Sequence, residues 1–196
     1  TNPKNISWSR ALKKRANLYK FDEFNKSDIV ISLYRPFTKQ YLYFNRFWNE
    51  TPAQQDKFKK YLSIGTVGIG GNKDFSIIIL NNIGDFQTLQ NANFYPLYYT
   101  EENKNKDKLL FETFDGIEEE NKKDGISDYI FNLAKQKYST KITKEDIFYY
   151  VYGFLHNEDY KKEFEADLKK LIPRLPLVDD YRIFKTYSDI GRELAD

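Results

Sequence analysis

The spacing of apolar residues changes character along this chain, and that change most limits the folds open to it. Up to about residue 99 the apolar residues come in short runs closed by turn-forming residues. Residues 29–34 (IVISLY) precede Pro36, residues 61–67 (YLSIGTV) precede Gly68, and residues 75–80 (FSIIIL) precede Asn81-Asn82; residues 40–44 (QYLYF) form another such run. Short runs rich in β-branched and aromatic residues are strand signals. From residue 126 onward apolar residues recur every three or four positions, the period of a helix with one buried face. Between these regimes, residues 100–124 are more than half charged, with Leu109, Leu110, Phe111 and Phe114 as an apolar anchor. This stretch reads as a long surface loop or linker. Strands and helices segregated in this way define an α+β fold. The expected division is a strand-containing part over residues 1–125 and a helical part over 126–196, the two sharing one core or holding one each.

Local signals refine the outline. Residues 6–20 read as a short helix with Ser7 or Ser9 as its cap. Residues 29–34 fit either a strand or a last helical turn, and Pro36 ends either one. Residues 50–60 are polar helix or loop. Residues 81–85 form a turn, and residues 93–99 an edge strand or extended segment, because Pro96 removes a ladder donor. In the helical part, Ile126, Ile130, Leu133, Ala134 and Lys137 track one stripe. Thr143 and Asp146 have capping-box spacing, ahead of a core face of Ile147, Tyr150, Val151, Phe154 and Leu155. Asn157 caps a helix with Tyr160, Phe164, Leu168 and Leu171 on its face, ended by Pro173 and Pro176. A last helix starts at Asp179 or Asp180 and uses Tyr181, Phe184, Tyr187, Ile190 and Leu194.

Composition removes whole classes of chemistry. There is no cysteine and one histidine, His156, so disulfides, thiolate nucleophiles, cysteine zinc sites and multi-histidine metal sites are excluded. No run of 18 apolar residues offers a membrane span, and no secretory leader is recognisable; the expected compartment is the cytoplasm. The chain has no methionine and begins Thr1-Asn2-Pro3, which reads as a piece processed or excised from something larger. The glycine-rich segment Gly65 to Lys73 fails both phosphate-loop patterns: Asn72 and Asp74 flank Lys73 where a P-loop needs Gly and Ser or Thr, and the third glycine of a dinucleotide fingerprint falls on Lys73. It reads as a tight turn or as a close approach to a ligand. His156 ends a helix, an ordinary place for imidazole, and no GxSxG elbow exists to pair with it. Neither the Asn-Pro-Pro-Tyr loop of amino-methyltransferases nor a glycine-rich adenosylmethionine loop is present. Glu118-Glu119-Glu120 is a solvated run, and Glu102-Asn103-Lys104 is a nuclease fragment without its strand.

What remains is recognition. The net charge of +2 conceals a gradient, with 13 Lys+Arg against 5 Asp+Glu in residues 1–60 and 5 against 10 in residues 100–129. A concentrated basic surplus is the footprint expected for a polyanion, the plainer alternative being a lysine-rich solvated face. Arg10, Lys13, Lys14, Arg15, Arg35, Lys39 and Arg46 lie among Trp8, Tyr34, Phe37, Tyr41, Tyr43 and Trp48. Asn72 and Lys73 add the glycine-rich loop to the candidates for contact with nucleic acid. Basic groups neutralise phosphates, while Asn, Gln and Arg read base edges. Most of Tyr41, Tyr43, Phe44 and Phe75 are expected in the core. Two other readings stay open: a protein-docking or RNA-binding scaffold, and a stand-alone nuclease.

Two blocks go beyond generic chemistry. The first joins Ile6-Ser7-Trp8-Ser9-Arg10 and Leu12-Lys13 to the run from Leu33 to Tyr43, with Tyr34-Arg35-Pro36-Phe37 at its centre. The second runs from Ile142 to Gly153, with Leu155-His156, Pro173-Arg174-Leu175-Pro176 and Gly191-Arg192-Glu193-Leu194-Ala195-Asp196. Together they resemble the C-terminal region of the single-chain Type ISP restriction-modification enzymes, over nearly the whole chain. That family joins a nuclease, a helicase-like ATPase, an N6-adenine methyltransferase and a target recognition domain. The resemblance implies that this chain is the last of these, non-catalytic itself. It would bind double-stranded DNA beside upstream methyltransferase and helicase domains of the same polypeptide. It would hold no cofactor, while the whole enzyme would use S-adenosylmethionine, ATP and Mg2+. Phosphate clamping falls to the N-terminal basic segment and groove reading to the middle loops. Arg35 and Lys39 match the family block, either as phosphate contacts or as braces of the fold.

Overall fold

A computed structural model describes residues 9–18, 20, 22–45, 47–49, 57, 60–70, 73–101, 122–138 and 141–196. Helix α1 (Arg10–Asn17) starts where the Ser9 hydroxyl accepts from the Leu12 amide at 3.2 Å, and Leu12 is its buried residue. After a single 3-10 turn (Lys26–Asp28), the ambiguous segment forms a strand, β1 (Ile29–Arg35). It pairs antiparallel with β2 (Thr38–Tyr43), from Ile29 opposite Tyr43 to Arg35 opposite Thr38, with an irregularity between Leu33 and Arg35. The polar stretch 50–60 lies outside the described residues except at Lys57 and Lys60.

β3 (Ser63–Thr66), β4 (Ile77–Leu80), β5 (Ile83–Gly84) and β6 (Asn93–Pro96) follow. Two three-stranded sheets result, in the orders β2-β1-β5 and β4-β3-β6. The segment expected to be a plain turn thus holds β5, which joins β1 in parallel through Ser32 to Ile83 and Leu33 to Gly84. A two-residue strand is too short to show a period. β6 lies at a sheet edge, as Pro96 requires, with Ser63 opposite Pro96 as its last pair. β7 (Tyr98–Thr100) and β8 (Lys122–Asp124) form a small antiparallel pair that brackets the charged stretch, whose residues 102–121, the apolar anchor included, lie outside the described set.

The helical part comprises α2 (Asp128–Tyr138), α3 (Lys144–Leu155), α4 (Glu158–Glu163), α5 (Glu165–Leu168) and α6 (Tyr181–Ala195). Thr143 and Asp146 form the expected capping box, and Asn157 caps α4. Helix α3 is buried on two sides. Ile147 and Tyr150 join Ala134, Tyr138 and Phe184, while Phe148 and Tyr152 join Ile64 and Leu97 from the strand part. One helix therefore carries both cores, because its sequence is apolar almost all round.

Three expected faces are corrected. In α2 the buried residues are Ala134 and Tyr138 with Phe131 half-buried, and Leu133 is exposed. The helix is turned by one position because the Tyr138 ring packs 4.8 Å from that of Phe184 and its hydroxyl donates to the Val178 carbonyl. The helix expected across Phe164 breaks there into α4 and α5, at φ −106° and ψ 20°, so Leu168 is buried while Phe164 and Leu171 stay exposed. In α6 the buried row is Phe184, Ser188 and Gly191, whereas Tyr181, Ile190 and Leu194 are exposed. The cause is a close crossing of α3 and α6. A Cβ on Gly153 would overlap the Tyr187 carbonyl oxygen, and one on Gly191 would overlap the Tyr149 carbonyl oxygen. The two backbones touch where neither has a side chain.

Candidate nucleic-acid interface

The β1–β2 hairpin is built around Pro36 and Phe37. Proline fixes its own φ negative, so it can be only the first central residue of a two-residue turn whose second residue has positive φ. Phe37 occupies that second position at φ 66°. Glycine or asparagine normally sits there. The turn points its phenyl ring into solvent, 92% exposed. Residues 29–43 contain Arg35 and Lys39 and no acidic residue.

Neighbouring segments brace the hairpin near its tip. Arg35 Nη1 donates to the Gln87 carbonyl at 2.7 Å, and its guanidinium lies 4.9 Å from the Tyr34 ring centre. The buried Thr88 hydroxyl donates to the Leu33 carbonyl at 2.6 Å, and the Asp85 amide donates to the same carbonyl at 2.9 Å. The loop after β5 is itself tightly wound, with Gln90 at φ 61° and Asn91 at φ 52°. It holds the glycine-rich loop in turn. The Gly68 amide donates to the Gln90 carbonyl at 3.1 Å, and a side chain at Gly68 would run into the Asn91 carbonyl. Hairpin tip, loop 85–91 and loop 67–70 thus form one hydrogen-bonded surface. Gly68 serves close packing, which is the plain reading of the glycine-rich segment.

The open end of the hairpin is anchored differently. The Phe44 amide donates to the Asp28 carbonyl and Asn45 Nδ2 to the Asp28 carboxylate, both at 2.7 Å. Arg15 Nη1 donates to the Phe47 carbonyl, and its guanidinium lies 5.0 Å from the Phe47 ring centre. Helix α1 is thereby tied to the segment that closes this end.

The candidate residues therefore divide. Arg10, Lys13 and Lys14 are exposed on α1 beside the open end, Lys39 is exposed near the tip, and Lys73 is exposed on the glycine-rich loop. Asp74, next to Lys73, pairs with Lys169 at 3.2 Å. Arg15 and Arg35 each donate one guanidinium hydrogen bond to a backbone carbonyl, a bracing contact in both cases. Arg46 and Asn72 lie outside the described residues. The aromatics require a correction. Tyr41, expected in the core, is 82% exposed, and Tyr43, Phe44 and Phe75 are half-buried. Tyr41 stands opposite Ile31, itself exposed, so the hairpin presents an uncovered face. Strand alternation, which sets Tyr41 on the face opposite to Leu42, is the available signal. Phe37 was readable as the residue a Pro36 turn forces outward.

Elsewhere the polar chemistry is structural. His156 packs edge-on against Tyr152 with ring centres 4.8 Å apart, and its Nε2 is buried with no protein partner. Burial, helped by the charge of Lys161, pushes this imidazole below its ordinary range. Burial would raise the Asp146 carboxyl, but hydrogen bonds from Thr143 and Arg192 override it and hold the group below the usual carboxylate range. Burial and a 2.6 Å hydrogen bond to Glu145 push the Tyr98 phenol up to about 12. Among the described residues, no group of three or more His, Cys, Asp or Glu is gathered as a metal site would require. No helix among them is long and apolar enough to cross a membrane.

Comparison with known proteins bears on this surface. The sequence matches the family described as the Type ISP C-terminal specificity domain over residues 1–196. No curated protein sequence matches it. Among solved structures, it is similar to a nuclease-deletion mutant of the Type ISP restriction-modification enzyme LlaGI in complex with a DNA substrate mimic. That match has 33% identity and a TM-score of 0.74, and covers 100% of this chain and 13% of that one. The ATP-dependent Type ISP enzyme LlaBIII bound to DNA gives 28% identity and a TM-score of 0.78, over 97% of this chain and 12% of that one. The cryoEM structure of a DrdV–DNA complex gives 26% identity and a TM-score of 0.82, over 97% of this chain and 18% of that one. The chain thus spans less than a fifth of each of these proteins.

Proposed function

Since the chain belongs to the Type ISP C-terminal specificity domain family, we propose that it reads a target sequence on duplex DNA and leaves methyl transfer, translocation and cleavage to other domains. The observation that carries this reading is the continuous surface from hairpin tip through loops 85–91 and 67–70, held by hydrogen bonds to backbone carbonyls from the Asp85 and Gly68 amides, the buried Thr88 hydroxyl and Arg35. Base-edge readers need such rigid carriers, because a hydrogen bond to the wrong edge must be lost and not accommodated. A two-stranded antiparallel ribbon is also of a size that the major groove admits. Gln40 on β2 is exposed and suited to a base edge.

The cations complement this arrangement. Lys39, opposite Leu33, stands four residues from Tyr43 at the open end of the hairpin, about 14 Å at ~3.4 Å per residue. Lys39 near the tip and Arg10, Lys13 and Lys14 beside the open end are thus spaced to hold phosphates on either side of about four base-pair steps. An adenine within the site would be presented to a methyltransferase domain of the same polypeptide. S-adenosylmethionine, ATP and Mg2+ would be bound there and in the helicase domain, in the cytoplasm. The exposed Ile183, Ile190 and Leu194 of α6 support docking of the helical part on those domains.

Selection from randomised duplex DNA with this 196-residue chain, at two salt concentrations, tests the reading. One preferred site should emerge, with affinity falling linearly in log salt. Weak, sequence-blind binding would overturn it.

A further inference from the structure

The least economical feature of the hairpin is its tip. A bulky residue at φ 66° carries backbone strain that glycine would avoid. The strain gains the fold no packing in return, because the Phe37 ring is 92% exposed. Its position is nevertheless fixed closely. Pro36 sets the turn, Arg35 is bonded to the Gln87 carbonyl and stacked on Tyr34, and Leu33 is held by Thr88 and Asp85. A ring kept out of the core on a braced, narrow tip has the form of a wedge.

We propose that the Phe37 ring enters a base-pair step of duplex DNA, while Lys39 holds an adjacent phosphate. The inference rests on the DNA-reading function proposed above and names the residue that deforms the target. Charge favours DNA over a protein surface as the occupant: the hairpin carries Arg35 and Lys39 and no acid. Apolar side chains inserted at a step unstack it and kink the duplex, at a cost that depends on which step is opened. Phe37 would therefore add sequence preference without a single hydrogen bond to a base. It would also loosen the stack near a base that another domain must extrude.

Phe37→Gly tests this cleanly, since glycine suits the backbone better than phenylalanine does. Its thermal midpoint should equal or exceed that of the wild-type chain. The selected duplex, carrying 2-aminopurine at successive positions, should brighten at one step on binding wild type. That signal should vanish with Phe37→Gly, with affinity reduced roughly tenfold or more; Phe37→Leu should retain part of both. Unchanged affinity and fluorescence with Phe37→Gly would overturn the inference. A lowered melting temperature would also overturn it, by making the ring a packing residue, as would a wild-type complex in which no step brightens. If the wild-type chain selects no site at all, the DNA-reading function itself falls, a result distinct from the loss of the wedge alone.

Discussion

The β1–β2 hairpin and the α3–α6 pair handle the backbone in opposite ways. In the helix pair, glycines stand where a side chain would be fatal, and two backbones meet through Gly153 and Gly191. In the hairpin, a phenylalanine stands where a glycine would be easier, and its ring meets only solvent. The helix pair has traded side chains for proximity, and its aromatic rings are stacked inside: Tyr150 and Phe184 are 4.8 Å apart and almost wholly buried. The hairpin keeps Ile31, Tyr41 and Phe37 outside. A face optimised for stability buries its apolar area, so the first region reads as scaffold and the second as a surface waiting for something.

The contrast predicts where substitutions register. Phe184→Ala empties the centre of the helical core and should cost about 3–5 kcal/mol, enough to leave a domain of ordinary stability marginal. Gly191→Ala should cost about 3 kcal/mol, despite the ~1 kcal/mol that alanine gains in a helix, because the new methyl meets the Tyr149 carbonyl. Urea unfolding measures both. Either variant, where still folded, should bind the selected duplex as wild type does; a specific loss of affinity from a folded Gly191→Ala would erase the division between scaffold and reader.

A smaller effect is expected at the clasp between α3 and α6. Asp146 accepts from Arg192 at 3.0 Å, closes the capping box with Thr143 and lies 3.7 Å from Lys185. Asp146→Asn should cost about 1–3 kcal/mol. Because the folded carboxyl titrates lower than the free one, its contribution is fully present above about pH 4 and is lost as pH falls through the depressed value. The asparagine variant should therefore lose less stability than wild type on acidification to pH 3.

Arg35→Ala shifts the comparison to the hairpin. It removes the bond to the Gln87 carbonyl and the stack on Tyr34 at an exposed site, and should cost about 1 kcal/mol in unfolding experiments. Its larger consequence should be weaker discrimination between the selected site and single-base variants, read by competition binding. A stability loss with specificity intact would make the brace ordinary framework.

What the sequence discloses follows the range of each interaction. Caps at Ser9, Thr143 and Asn157 are visible because donor and acceptor lie three residues apart. Strand and helix regimes are visible because period is a local property. The buried row of α6 is hidden because Ser188 and Gly191 carry no hydrophobic signal, although the missing side chain of Gly191 is what admits α3. The brace at Arg35 is hidden because its partner is a backbone carbonyl 52 residues away. Tyr41 misleads because an aromatic letter is the same in a core and on a binding face. The exposed hairpin face is thus the part of the site that hydrophobicity alone assigns to the wrong side.

The smallest expected effect separates the two regions by pH. His156 ends α3, with the Tyr152 ring against it and Lys161 and Glu158 nearby on α4. Burial and Lys161 together favour the neutral ring, while Glu158 opposes them less strongly. A base whose folded pKa is depressed stabilises the fold fully above its unfolded value, about 6.5, and that contribution fades as pH falls towards the folded value. Between pH 7 and pH 5 the wild-type chain should lose stability more steeply than His156→Gln, which has no proton to take up there. Affinity for the selected duplex should be the same for both proteins at pH 7, because the imidazole belongs to the scaffold. Equal pH slopes for the two proteins would show that His156 is solvated and that the end of α3 is looser than the core it caps.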